Sequence, residues 1–77
     1  MASHEIRVVN DDQRGISGVE VGIEFTSIAR GMAHERTDSD GSAYFDDYDE
    51  GDMNVYLDGS SYGRYYFSDG GCTTITK

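Results

Sequence analysis

The residues best equipped for chemistry in this chain are its carboxylates. Asp38 and Asp40 are followed by Asp46, Asp47, Asp49, Glu50 and Asp52, and between Asp38 and Asp58 there are eight acids and no base. Oxygen donors in such number are what Ca²⁺ prefers. Their spacing is not that of an EF-hand loop, which needs acids at alternate positions, a central glycine and a glutamate six residues later. Here Gly41 arrives before a third alternating acid, and Asp47 stands where the glutamate should be. A solvated acidic edge is the plainer reading, with a Ca²⁺-stabilised module as an alternative. Nucleophilic chemistry has thinner support, because a nucleophile needs a base and a third group to orient that base. Cys72, His4 and His34 are suitable types but carry no local signature. Cys72 beside Gly71 reads equally well as a small residue at a strand start, and His34 as a surface residue. Carboxylates are too abundant for any pair of them to mark an acid–base dyad. The chain therefore reads as non-enzymatic, with no cofactor and no metal site assigned.

The tyrosines offer a different kind of site. Tyr44, Tyr56, Tyr62, Tyr65 and Tyr66 lie in the second half of the chain. Exposed tyrosines provide large contact area at low entropic cost, stacking on sugars or anchoring protein partners. Tyr44 and Tyr56 fall on the outward phase if Phe45, Val55 and Leu57 face a core. Tyr65 and Tyr66 read more readily as core filler. The candidate partner-binding set is thus Tyr44 and Tyr56 with Asp46, Asp47, Tyr48, Asp49, Glu50 and Asp52, and its partner a protein or a carbohydrate.

The elements that must hold these residues are short. A chain of 77 residues has interior enough for one small domain. It has one leucine, no proline and ten glycines, and its apolar content comes from Ile, Val, Phe and Tyr. That mix favours strands over helices. Only 14 residues are Leu, Ile, Val or Phe and the net charge is −9, a composition bordering on disorder. The apolar residues are nonetheless grouped and alternating, so a folded domain is expected. So acidic a surface repels nucleic-acid phosphates and anionic lipid headgroups, which argues against both as direct partners. An acidic inhibitor imitating nucleic acid is the remaining alternative. Cys72 is the single cysteine, so no internal disulfide can form. No leader-like or membrane-length apolar run is present, and a cytoplasmic location is expected if the chain is the native full length.

Val19, Val21, Ile23 and Phe25 fall at strict period two, the clearest strand signal. Ile6 and Val8 mark a strand before it, with Asn10 to Gly15 a polar turn. Residues 27–31 read as a connection and Met32 to Thr37 as a weak strand. Asp38-Ser39-Asp40-Gly41 reads as a hairpin turn, with Ala43 and Phe45 inward and Tyr44 outward. After the acidic run at residues 46–52, taken as a loop, Met53, Val55 and Leu57 alternate. Asp58-Gly59-Ser60 and Asp69-Gly70-Gly71 turn the chain around the aromatic strand Tyr62 to Phe67, and Cys72 to Thr76 closes it. No window sustains helical spacing. The pattern predicts an all-β, antiparallel Greek-key β-sandwich of about seven short strands in a single domain over 1–77.

Three segments in order carry a resemblance: Gly15-Ile16-Ser17-Gly18-Val19-Glu20-Val21, then Thr37-Asp38-Ser39-Asp40-Gly41-Ser42-Ala43-Tyr44-Phe45, then Gly51-Asp52-Met53-Asn54-Val55-Tyr56-Leu57. Together they resemble the carboxypeptidase regulatory-like domain and its relatives, the collagen-adhesin B-type repeats and the transthyretin-like proteins. The resemblance covers about residues 6–58 and implies a prealbumin-like sandwich serving as a spacer, accessory or adhesive module. Two active relatives fit poorly. Adhesin-type domains that form a Lys–Asn isopeptide bond need an internal lysine, and the sole lysine here is Lys77. The transthyretin-like hydrolases end in Tyr-Arg-Gly-Ser, whereas this chain ends Thr74-Ile75-Thr76-Lys77. On the reading of a solvated acidic edge, EDTA followed by millimolar Ca²⁺ leaves the thermal unfolding midpoint unchanged. A midpoint that rises with Ca²⁺ would restore the metal-stabilised alternative.

Overall fold

The computed structural model describes residues 2–26 and 32–77; the connection read at residues 27–31 lies outside the described residues. The alternation in the sequence becomes seven strands: β1 (Ala2–Val9), β2 (Glu20–Phe25), β3 (Met32–Arg36), β4 (Ser42–Tyr48), β5 (Gly51–Leu57), β6 (Ser60–Phe67) and β7 (Gly71–Thr76). Among the described residues there is no helix, hence none long and apolar enough to cross a membrane. The strands form a three-stranded sheet in the order β4-β1-β7 and a four-stranded sheet in the order β3-β2-β5-β6. The even residues Ile6 and Val8 of β1 and the odd residues Val21, Ile23, Met53, Val55 and Leu57 of β2 and β5 meet between the sheets. They are essentially without solvent exposure.

All strand pairs are antiparallel save one, β1 with β7, which is parallel. Every connection reverses the chain, so odd-numbered strands all run one way. The first and last strands, brought side by side, can then only be parallel. Four of the six connections also carry the chain from one sheet to the other. This corrects one local expectation. Asp38-Ser39-Asp40-Gly41 is a tight turn, with the Gly41 amide donating to the Asp38 carbonyl at 3.0 Å. It is not a hairpin, because β3 and β4 belong to different sheets. The true two-residue hairpin is Asp58-Gly59 between β5 and β6, both residues having positive φ (50° and 88°), the signature of a primed turn.

The corner at residues 38–41 is locked to the segment after β1 by backbone packed on backbone. A Cβ on Gly41 would lie 2.6 Å from the Gly15 Cα and 2.6 Å from the Val8 carbonyl oxygen, so both partners must stay bare. Gly41 also accepts the Val8 amide at 2.8 Å, while the Ile16 amide donates to Val8 at 2.9 Å. Thr37, buried beside the corner, bonds the same segment through both backbone and side chain. Its amide donates to Val19, its hydroxyl donates to the Ile16 carbonyl, and that hydroxyl accepts the Val19 amide at 2.9 Å.

Two β-bulges adjust the side-chain phase. In β4 the register with β1 shifts between Ala2 and His4, so that Asp46 and Asp47 oppose a single residue. Strict alternation would send Asp47 inward and Tyr48 outward. The bulge leaves Asp47 exposed, at φ 69°, and turns Tyr48 onto the core. There its ring meets Phe25 (5.6 Å between centroids, stacked) and Phe67 (6.0 Å, edge-on). In β6 a second bulge opposite Val55 centres on Gly63, at φ 106°. It lets Tyr62 and Tyr65, three residues apart, both pack on the core. Tyr66 is left 55 % exposed, so only one of the two tyrosines expected as filler acts as such.

Both bulges rest on backbone conformations that L residues avoid, at a cost of about 1–2 kcal/mol per residue. A Cβ on Gly63 has nothing nearer than 3.9 Å, so Gly63→Ala should lose about 1 kcal/mol or more in urea denaturation for backbone reasons alone. Asp47→Gly should hold or raise stability. A loss above about 1 kcal/mol there would mean that the Asp47 carboxylate, rather than the φ it tolerates, sustains the bulge.

Candidate functional site

The structure divides the candidate set. Tyr44, 57 % exposed, and Asp46 lie on the outer face of the three-stranded sheet. Tyr56 and Asp52 lie on the outer face of the four-stranded sheet, on the far side of the core. No single Tyr44/Tyr56 face exists. The expected acidic loop at residues 46–52 is also mostly strand: only Asp49 and Glu50 lie between β4 and β5. Tyr48 belongs to the core, Asp47 to the bulge. Asp46, Asp47, Asp49, Glu50 and Asp52 instead form an acidic pole at one end of the sandwich, joined by Asp69 from the β6–β7 connection. Some of these acids have local structural work. Glu50 accepts the Asp69 amide at 2.8 Å, and Asp69 accepts the Ser3 amide at 3.0 Å. Among the described residues no group of three or more His, Cys, Asp or Glu is arranged to hold a metal ion.

The nucleophile candidates are likewise kept apart. Cys72 is exposed on the outer side of β7. His4, one strand away, points inward and is buried, its ring 5.1 Å from that of Phe67. Its Nδ1 lies 2.8 Å from the Ser68 carbonyl and its Nε2 2.8 Å from the Thr73 hydroxyl. The Ser68 carbonyl can only accept, which favours a proton on Nδ1, although the Ser68 amide stands 3.3 Å from the same nitrogen. His4 thus pins the β6–β7 connection from inside. His34 lies on the other sheet. Lys77 pairs with Asp58 at 3.3 Å at the surface. Asp58 also accepts the Glu20 amide at 3.1 Å. That backbone bond first, and Lys77 second, hold its carboxyl below the usual aspartate range.

What the structure does bring together is a row across three strands. His34 of β3, Gly22 of β2 and Tyr56 of β5 are successive cross-strand partners, all pointing out of the four-stranded sheet. Along this row lies a groove of about 370 Å³, lined by Glu20, Gly22, Met32, His34, Tyr56 and Gly59, with Gly22 itself buried. The ring of His34 and the methyl of Met32 lie down over the glycine. A Cβ built there would stand 3.1 Å from His34 Cδ2 and 3.3 Å from Met32 Cε. On the opposite wall the Tyr56 hydroxyl donates to Glu24 Oε1 at 3.0 Å, and the Asn54 amide approaches the same oxygen at 3.4 Å. That bond to Glu24, then desolvation and the carboxylate's charge, keep the Tyr56 hydroxyl protonated above the ordinary phenol range. Period-two reading found Tyr56 but treated His34 as an isolated surface residue and passed over Gly22 and Met32. The available signal was a glycine inside the strongest strand pattern, which marks a bulge or a close approach.

In sequence the chain matches no protein-family model and no curated protein. Among solved structures it is similar to the Bacillus anthracis TIE protein, with a TM-score of 0.72 and 14 % identity. The match covers 99 % of this chain and 16 % of that one, so the chain spans about a sixth of its neighbour's length. At that identity the likeness is one of fold: a small all-β sandwich.

Gly22 has no positive φ and sits in a central strand, where glycine costs roughly 0.5–1 kcal/mol relative to alanine. The place a side chain would take is covered by the exposed His34 ring and Met32 methyl, whose ends are free to shift. Gly22→Val should therefore leave the unfolding free energy unchanged or up to about 1 kcal/mol higher, while moving the His34 ring resonances in NMR spectra. A loss of several kcal/mol would instead make Gly22 a structural requirement.

Proposed function

We propose that this domain is a non-catalytic binding module of the carboxypeptidase regulatory-like, collagen-adhesin B-type and transthyretin-like kind. Its recognition surface is the outer face of the four-stranded sheet, and its partner is a protein. The family reading is supported by the lock between residues 15–19 and residues 37–41, which joins two of the segments that carry the resemblance. The observation that carries the functional reading is the His34–Gly22–Tyr56 row. A central-strand glycine forgoes stability, and along its row lies a walled groove with an aromatic ring, an imidazole and a thioether. Such side chains, around a concavity with few polar groups, are the ordinary lining of recognition sites. Binding rather than catalysis is supported by the separation of Cys72, His4 and His34, with both ring nitrogens of His4 already engaged.

A displayed library of random extended peptides, screened beside a glycan array, tests this. Peptides should be enriched whose binding is lost in Gly22→Val and Tyr56→Ala and kept in Tyr44→Ala. Enrichment that depends on Tyr44 or Asp46 would move recognition to the other sheet. Glycans held by the groove in place of peptides would make the partner a carbohydrate.

A further inference from the structure

We infer that the groove over Gly22 receives an arginine side chain presented by an extended segment of the partner. This rests on the reading of the four-stranded sheet's outer face as the recognition surface, and it names what that face selects.

Charge complementarity is the first argument. The chain carries −9, and Glu20 lines the groove at one end while Glu24 lies behind the Tyr56 hydroxyl at the other. Among the described residues neither carboxylate is within ion-pair distance of a cation. Arg36, the cross-strand partner of Glu20, directs its guanidinium to the Gly18 carbonyl at 2.8 Å. The one lysine is spent on Asp58, and Arg64 lies a strand beyond, opposite Asn54. An incoming cation therefore meets two carboxylates with no described cation at ion-pair distance, Arg64 standing across β5 from Glu24 on the same face.

The shape of the walls is the second argument. A cation over a tyrosine face is attracted by the ring quadrupole. A phenol that donates its proton to a carboxylate has a more electron-rich ring, so the Tyr56–Glu24 bond strengthens that attraction. Met32 and the His34 ring supply the opposite wall for the methylenes of a long side chain. A guanidinium is planar, weakly hydrated and forked. It can stack on Tyr56 while its edge pairs with a carboxylate, which a compact and strongly hydrated ammonium cannot do equally well. An extended backbone can lie along the open face and drop one side chain into the opening.

The test uses three capped tripeptides, glycine–arginine–glycine, glycine–lysine–glycine and glycine–citrulline–glycine, titrated into ¹⁵N-labelled protein. Citrulline keeps the shape of arginine and lacks its charge. The arginine peptide should shift the amides of Gly22, His34 and Tyr56 and saturate at lower concentration than the lysine peptide, with citrulline silent. Tyr56→Leu should weaken arginine binding about 3- to 30-fold. Glu20→Gln should weaken it as well, and Gly22→Val should abolish it with the fold retained. Equal binding of citrulline, or shifts confined to the acidic pole around Asp46 and Asp52, would overturn the inference. If the arginine peptide fails while library-selected peptides still bind the groove, the recognition surface survives and the arginine specificity falls. If both fail, both fall together.

Discussion

The whole sandwich hangs on a place where two stretches of backbone touch with no side chains between them. Gly15 and Gly41 press together over the Val8 carbonyl, and Thr37 stitches the segment after β1 to the end of β3. This contact joins the two sheets near the middle of the chain, far from the hairpins that close each sheet locally. Without it, β1 and β4 would still be able to pair, but the seat of one sheet on the other would rest on side-chain packing alone, such as Tyr48 against Phe25 and Phe67. The polar atoms involved are buried or partly buried, and among the described residues no buried side-chain nitrogen or oxygen lacks a partner. A domain with so few large apolar residues has little hydrophobic free energy to offset an orphaned polar group, whose burial costs about 1–3 kcal/mol. Complete satisfaction at this corner is therefore a condition of folding.

That corner ties together two segments far apart in the sequence, residues 15–19 and 37–41. Their glycines and Thr37 are halves of a single contact, and their spacing records the length of chain needed to run out along one sheet and return. The strand pattern was legible for a related reason. Alternation at period two directly reports which face of a strand is wet, and Val21, Ile23, Met53, Val55 and Leu57 lie where that rule puts them. The rule fails where a residue is inserted into one partner only. Asp47 and Gly63 each absorb an extra residue at positive φ, and downstream of each the phase inverts. From the sequence alone, Tyr48 reads as part of an acidic loop; the bulge makes it a core aromatic.

The candidate site was legible only in part, because sequence proximity and phase say nothing about which sheet a strand joins. Tyr44 and Tyr56 are both outward, as expected, yet β4 and β5 belong to opposite sheets and their outer faces look in opposite directions. The same crossing distributes the acidic run: Asp46 goes to one face, Asp52 to the other, and Asp49 and Glu50 to the connection. Conversely, His34, Gly22 and Tyr56 lie between 12 and 34 positions apart and become neighbours through register alone. A cross-strand row of this kind needs the strand order β3-β2-β5, and no local pattern encodes that order.

The acidity of the chain acquires a different meaning from this arrangement. Carboxylates at the pole accept backbone amides, as Glu50 and Asp69 do, and so fasten the connections at that end. They also set a negative potential around the molecule, which steers cations toward it without choosing a docking site. Choice requires a place where charge meets shape. On the four-stranded sheet Glu20 and Glu24 stand beside a ring, an imidazole and a thioether. Long-range attraction and short-range selection are thereby separated in space: the pole contributes to the first, and the groove over Gly22 can supply the second. A small domain with a thin core can sustain such a division, because removing a side chain from an outer face subtracts nothing from the interior that holds it together.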